Sequence, residues 1–232
     1  MQINIKLSII LPSYLEEENL RLLLPRLHVT LATQEIDYEI IVVDTIKPLD
    51  KTFEVCKIYN SKYINRENDN SFGSAVRTGI RSASGSFILF MDADGSHPPE
   101  FIPNMLKHMN EFDIVIASRY IEGGYTENSK ILIFMSKVLN TIYANVLNIN
   151  CKDVSNSLKI YKTSLVQQLS LYCNNFDIVE EIIYKICKNN KGIKIKEVPF
   201  TFRKRMYGKT KRNLVIFILT YIFTLIKLRY GK

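Results

Sequence analysis

Cysteine and histidine are scarce in this chain: there are four of the one and three of the other in 232 residues. Cys56, Cys151, Cys173 and Cys187 are scattered, with no C-x-x-C pair. That removes the usual spacing of a zinc site or a redox motif and reads as reduced, buried thiols in a cytosolic setting. Of the histidines only His97 lies in a motif, so candidates for a general base are few. No G-x-G-x-x-G follows a predicted strand, and no G-x-x-x-x-G-K-[ST] occurs, so dinucleotide oxidoreductase and P-loop readings lose their main support. There are no internal repeats and no low-complexity tracts. The opening stretch, Met1 to Leu11, carries one lysine and an apolar run that Pro12 interrupts. It is too short for a secretory h-region and reads as a first strand. Acidic residues are outnumbered, 23 against 31 Lys and Arg, for a net charge of +8. This excess favours an anionic partner: nucleic acid, a phosphate-rich ligand or a membrane surface.

The length fits one large domain, or one domain with an extension, and 47% apolar residues supply an ample core. Apolar runs of strand length alternate with helical periodicities. Leu7–Leu11, Glu39–Asp44, Lys62–Ile64, Phe87 to Asp92, Asp113–Ser118 and Lys194–Val198 read as strands. Leu20, Leu23, Leu24, Leu27 and Leu31 recur at helical spacing, with Pro25 placed to kink the helix. Further helices are expected over Lys51 to Asn60, Ser71 to Ala83, from Pro98, Ser129 to Asn148 and Asp177 to Asn189. This alternation predicts an α/β fold with a mostly parallel sheet and right-handed crossovers.

The chain is organised around Phe87 to Glu100. An apolar strand there delivers Asp92 and Asp94 to its own C-terminal end, the end at which open α/β sheets bind ligands. At i and i+2 the two carboxylates can point to one side, where they repel unless a cation lies between them or one is protonated. Oxygen ligands of this kind suit a hard ion such as Mg²⁺ or Mn²⁺. Spacing alone also fits a loop with two solvated acids.

Several stretches together resemble family 2 inverting glycosyltransferases, in the branch that loads mannose onto dolichol or polyprenyl phosphate. Pro12-Ser13-Tyr14 with Glu16 and Asn19 resembles P-[ST]-Y-N-E-x-x-N. Asp92-Ala93-Asp94 with His97-Pro98-Pro99-Glu100 resembles D-A-D-x-x-H-P-P-E. Ser118-Arg119-Tyr120 with Gly123-Gly124 resembles S-R-Y-x-x-G-G, and Arg205 to Lys211 resembles R-x-x-G-x-S-K. The resemblance runs from about Leu7 to Lys211. It implies a glycosyltransferase A fold, a GDP- or UDP-sugar donor, Mg²⁺ or Mn²⁺, and a polyprenyl phosphate acceptor.

Carried over by resemblance, Pro12, Tyr14, Glu16, Asp44 and Asp92 bind the nucleotide sugar. Asp92 and Asp94 hold the metal, with Ser96 where the family has Gln. Asp94, Arg119 and Arg205 serve the reaction, and Arg119, Ser136, Arg205 and Lys211 bind the acceptor phosphate. Leu15 and Thr45 stand where the family usually has Asn and Asp, and Ser157 lies in a stretch that lacks the family's Gly. His97 reads as a structural residue rather than a base. The basic run Arg203 to Arg212 has no nucleic-acid recognition motif beside it. Behind it, Leu214–Ile226 is apolar on nearly all sides but shorter than the ~20 residues that span a bilayer. Residues 1–212 are therefore expected to form the catalytic domain and 213–232 an interfacial helix, placing the protein peripherally at the cytoplasmic face of a membrane. Rival readings are a family 2 transferase acting on a saccharide acceptor and a nucleotide-sugar binder without turnover. The sequence is silent on oligomeric state.

Overall fold

A computed structural model describes residues 6–207 and 214–230. Its centre is a seven-stranded sheet of order β3-β2-β1-β4-β7-β5-β8. The strands are β1 (Lys6–Pro12), β2 (Asp37–Asp44), β3 (Lys62–Asn65), β4 (Phe87–Phe90), β5 (Ile114–Ser118), β7 (Lys159–Lys162) and β8 (Ile195–Pro199). Every pairing is parallel except those of β7, which runs antiparallel to both neighbours. A small second sheet pairs β6 (Tyr125–Thr126) with β9 (Thr201–Phe202) in parallel.

Side chains alternate across a strand, and the central strands are apolar on both faces, which is the pattern of a sheet covered on both sides. Leu7, Ile9 and Leu11 of β1, Ile40 and Val42 of β2, and Leu89 of β4 share one core. That core is closed by the leucines of α1 (Glu17–Ala32), by Val55 of α2 (Thr52–Ile58) and by Ile102 and Met105 of α4 (Ile102–Leu106). Ile10, Ile41, Val43, Ile88 and Phe90 face the opposite way, onto α3 (Phe72–Ser82), α5 (Lys130–Leu147), α6 (Thr163–Gln167), α7 (Ile178–Asn189) and α8 (Leu214–Tyr230).

The expected elements form with ends displaced by a residue or two. α1 continues unbroken through Pro25. β4 stops pairing at Phe90, after which only the Met91 N–H reaches back to Ile10 O at 3.1 Å. The helix expected from Pro98 forms as one 3₁₀ turn followed by a five-residue helix. α8 runs to Tyr230, beyond the expected end at Ile226. β6, β7, β9 and α6 are additional to the elements expected from the sequence. β7 matters most: because it runs antiparallel, the loop that leads into it arrives at the same edge as the C-terminal ends of β1, β2, β4 and β5.

Tight packing of α3 on the sheet sets the position of that edge. A methyl group at Gly79 would stand 2.4 Å from Ile10 Cγ2, a β-branched methyl that cannot swing away. Helix propensity alone promises a gain of about 1 kcal/mol for Gly79→Ala. The clash reverses the sign: the variant should lose about 1–3 kcal/mol, as overpacked cores do. Thermal and denaturant unfolding measure this directly, and a rise in Tm would contradict the packing described here.

Candidate active site

The C-terminal ends of β1, β2, β4 and β5 share one edge, and the residues that leave them build the site. β1 ends at Pro12 and passes into Ser13, Tyr14, Leu15 and Glu16. Leu15 has φ 56, a left-handed conformation that Asn tolerates better than Leu. Two helix starts converge beside it. The Glu17 N–H donates to Asp50 Oδ2 at 3.1 Å, Thr52 N–H to Asp50 Oδ1 at 3.0 Å, and Lys51 N–H to Glu17 Oε2 at 3.0 Å. These acids satisfy otherwise orphaned N–H groups at the two helix N-termini.

β2 ends at Asp44, which is buried. The Tyr63 hydroxyl donates to Asp44 Oδ2 at 3.0 Å, and Asn65 Nδ2 donates to Tyr63 Oη at 3.0 Å. Burial pushes the Asp44 carboxyl above its ordinary range, against the pull of the Thr45 N–H and the Tyr63 hydroxyl. Thr45, also buried, spends its hydroxyl on Lys47 O at 2.7 Å.

Asp92 and Asp94 follow β4. Ser157 Oγ donates to Asp92 Oδ1 at 2.9 Å, and the Ser96 N–H donates to Asp94 Oδ1 at 3.0 Å. Each carboxylate thus has one oxygen engaged and remains partly exposed, 27% and 22% by side chain. His97 is fully buried. Its Nδ1 accepts the Asp92 N–H at 3.0 Å, and its ring stands edge-on to Phe200 and Phe202. Nδ1 holds the loop, while Nε2, buried without a hydrogen-bond partner among the described residues, stands 4.0 Å from Asp92 Oδ2.

The successive strands β8 and β9, paired to β5 and β6 respectively, bring a basic segment across this loop. Arg203 N–H donates to Ser96 O at 3.1 Å, Met206 N–H to Asp94 O at 3.0 Å, and Tyr207 N–H to Asn19 Oδ1 at 3.0 Å. Met206 lies so close over Gly95 that a Cβ there would meet its Cε at 2.3 Å. Arg205 bridges the two acidic loops: Nη2 donates to Glu16 at 2.9 and 3.1 Å, and Nη1 stands 3.9 Å from Asp94 Oδ2. Burial raises the Glu16 carboxyl above its ordinary range, while Asn19 and Arg205 act in the opposite sense.

Arg119, just past β5, is locked by the loop before β7. Its backbone N–H and Nε both donate to Asp153 Oδ2 at 2.8 Å, and Nη2 donates to Asp153 Oδ1 at 2.7 Å and to Ser155 Oγ at 2.9 Å. Burial opposes the Arg119 charge, but the fully buried Asp153 outweighs it and holds the guanidinium charged. Asn140 of α5 joins Ser155 at 2.9 Å to the Ser136 carbonyl at 2.7 Å. Arg119 and Ser136 therefore belong to one hydrogen-bonded network, and Arg205, Glu16 and Asp94 to another. Lys211 lies outside the described residues.

Further partners come from Tyr63, Asn65, Asp153, Ser155, Asn140 and Arg66, which the sequence analysis does not single out, and from Ser157, which it marks only as part of an altered stretch. None stands in the matched motifs, except that Asp153, Ser155 and Ser157 fall in the stretch lacking the family's Gly. Among the described residues no group of three or more His, Cys, Asp or Glu can hold a metal by itself. Asp92 and Asp94, with the buried and unbonded Ser96 Oγ nearby, still fit a hard cation. Mg²⁺ in particular is held by one or two carboxylates with substrate phosphates and water.

Residues 8–170 match the family described as glycosyl transferase family 2. The chain is 36% identical, over 96% of its length, to a dolichol-phosphate mannosyltransferase of Pyrococcus furiosus, and spans 64% of that relative. It is 28% identical to a polyprenol monophosphomannose synthase of Mycolicibacterium smegmatis, covering 88% of this chain and 80% of the relative. A glucosyl-3-phosphoglycerate synthase of Mycobacterium tuberculosis, crystallised with Mn²⁺, UDP and phosphoglyceric acid, superposes with a TM-score of 0.74 at 15% identity, covering 98% of this chain and 80% of that one. The architecture is the glycosyltransferase A fold, and the chain belongs to glycosyl transferase family 2.

Proposed function

We propose that this protein transfers a hexose from a nucleoside diphosphate to a polyprenyl phosphate, with inversion, at the cytoplasmic face of a membrane. The observation that carries the reading is the approach of Arg205 Nη1 to Asp94 Oδ2, 3.9 Å apart and beside Asp92, in a site whose histidine accepts the Asp92 N–H through Nδ1 and so carries its proton on Nε2. The bond from the sugar's anomeric carbon to the diphosphate breaks, and its electron pair leaves with the diphosphate. A new bond forms to a phosphate oxygen of the acceptor. Such an oxygen is ionised near neutral pH, so no side chain has to remove a proton, which fits an imidazole whose Nδ1 lone pair is already taken by the Asp92 N–H. In-line attack on an oxocarbenium-like centre inverts it.

In this reading Pro12, Tyr14, Glu16, Asp44 and Asp92 line the donor side, and Arg119, Ser136, Arg205 and Lys211 the acceptor phosphate. Asp92 and Asp94, with Ser96, would hold Mg²⁺ or Mn²⁺, which would neutralise charge on the departing diphosphate. The relatives' names and the Mn²⁺ and UDP of the structural neighbour support the donor, acceptor and metal assignments by similarity. Arg205 has to part from Glu16 or share its fork to take up phosphate, so acceptor binding and the bridge between the two acidic loops are linked.

The membrane assignment rests on α5 and α8. α5 has a mean hydropathy of 1.2 over its 18 residues and is only 17% buried. Ile131 and Phe134 on α5 are 73% and 69% exposed, and Phe223 on α8 is 68% exposed. The two helices are joined by the Tyr143 hydroxyl, which donates to Tyr221 O at 2.6 Å. Lys130, Lys137, Lys227 and Arg229 lie on the same helices and suit anionic headgroups.

The direct test is a transfer assay with GDP- and UDP-sugars, a short polyprenyl phosphate, and Mg²⁺ or Mn²⁺. Asp94→Asn should lower turnover at least about a hundredfold, the scale of losing one electrostatic contact to a charged transition state, with little change in Tm. Full activity in that variant, or in the presence of EDTA, would remove the metal assignment. A sugar product that never partitions with lipid would move the acceptor to a soluble or saccharide class. Replacing both Phe134 and Phe223 by Glu should release the protein from anionic vesicles while leaving it folded. Undiminished sedimentation with vesicles would show that these faces are not the docking surface.

A further inference from the structure

Arg66 follows β3 and is only 4% exposed. It carries a full charge, yet among the described residues it forms no ion pair; its partners are main-chain carbonyls. The backbone N–H and Nε both donate to Asp44 O, at 2.8 and 3.2 Å. Nη1 donates to Asn70 O at 2.7 Å and Ser71 O at 3.1 Å, and Nη2 donates to Ser13 O. One guanidinium therefore ties together the exit of β1, the exit of β2 and the N-cap of α3. Burying a cation without a direct ion pair is costly, and the carbonyl dipoles with the nearby charges of Asp44 and Asp69 offset this only in part.

The geometry of the peptide unit gives this clamp a consequence. In a planar trans peptide the C=O and the following N–H point in opposite directions. With the carbonyls of Ser13, Asp44 and Ser71 turned onto Arg66, the N–H groups of Tyr14, Thr45 and Phe72 are turned away from it. Tyr14 and Asp44 are residues placed on the donor side above, and Phe72 opens α3, where N–H groups have no partner within the helix. A lysine in this position would keep the charge but lose the planar fork that reaches several carbonyls at once.

We infer that Arg66 is a positioning residue for the nucleotide: its clamp on Ser13, Asp44, Asn70 and Ser71 holds three separate loops in their nucleotide-binding arrangement. The inference rests on the reading of this edge as a nucleotide-sugar site. Without the clamp, each loop has to be ordered when the donor binds, and that cost is taken from affinity.

Calorimetric titration of GDP and of UDP in the presence of Mn²⁺, without acceptor, tests it on the full chain. The samples are the wild type, Arg66→Lys, Arg66→Met and the control Val166→Ala. Val166 is buried on α6, which begins beside Ser86 at the far end of β4, so its loss lowers stability without touching the loops. Arg66→Lys should weaken the bound nucleotide about tenfold or more, on the scale of a lost charge-assisted hydrogen bond. In steady state it should raise KM for the donor and leave KM for the acceptor unchanged. Val166→Ala should lower Tm and leave nucleotide affinity alone. Should Arg66→Met fail to fold, Arg66→Lys carries the comparison. Unchanged nucleotide affinity in Arg66→Lys, with a lowered Tm, would overturn the inference and leave Arg66 structural. A wild type that binds neither nucleotide would overturn the site reading and the inference with it. A wild type that binds nucleotide but glycosylates no lipid would overturn the acceptor alone, with Arg66 still judged by affinity.

Discussion

Two carboxylates placed two residues apart at the end of a buried strand cannot share that position without compensation. Each unit of like charge nearby disfavours ionisation of the other. The site answers this in three ways: Ser157 donates to Asp92, the Ser96 amide donates to Asp94, and Arg205 stands against Asp94 from the opposite side. Each contact arrives from a different part of the chain. The loop before β7, the turn after β4 and the segment after β9 have to meet at one edge, and the sheet order makes them meet. In the proposed reaction a diphosphate donor and a phosphate acceptor would add further negative charge, which the cations Arg119 and Arg205 would balance.

The antiparallel strand β7 is the topological device behind this arrangement. Inserted between β4 and β5, it reverses the chain so that residues 153–158 lie where parallel neighbours have their C-terminal ends. Asp153 can then pair with Arg119, and Ser157 with Asp92, across more than thirty intervening residues. Asn140 extends the network to α5, and the Tyr143 hydroxyl extends α5 to α8. The apolar outer faces of these helices are thereby tied to Arg119 and Asp153 by a chain of hydrogen bonds rather than by a flexible tether.

Much of the fold could be read from apolar runs. β1, β2, β4 and β5 are buried on both faces and so appear as unbroken Ile, Val, Leu and Phe segments. β7 could not be read that way, because Lys159-Ile160-Tyr161-Lys162 is short and bounded by lysines. Lys159 is nonetheless fully buried, with its ammonium donating to Val154 O at 2.7 Å and to Asn156 O. A charged residue satisfied by loop carbonyls has no signature in hydropathy. Arg66 was hidden for the same reason. Asp92, Asp94 and Arg205 were legible because they sit in motifs, whereas Asp153, Ser157 and Tyr63 act through long-range contacts that no spacing rule records. His97, read from its place before Pro98 as structural, lies buried between Asp92 and the rings of Phe200 and Phe202.

The central claim is that the acceptor brings its own ionised oxygen, so the protein supplies charge balance and no general base. Transfer to a polyprenyl phosphate and to the uncharged polyprenol of the same chain length, measured side by side with one nucleotide sugar, tests this most directly. The account predicts lipid-linked sugar from the phosphate and none from the alcohol. Comparable rates with both acceptors would contradict it, since the alcohol can react only if a side chain takes its proton.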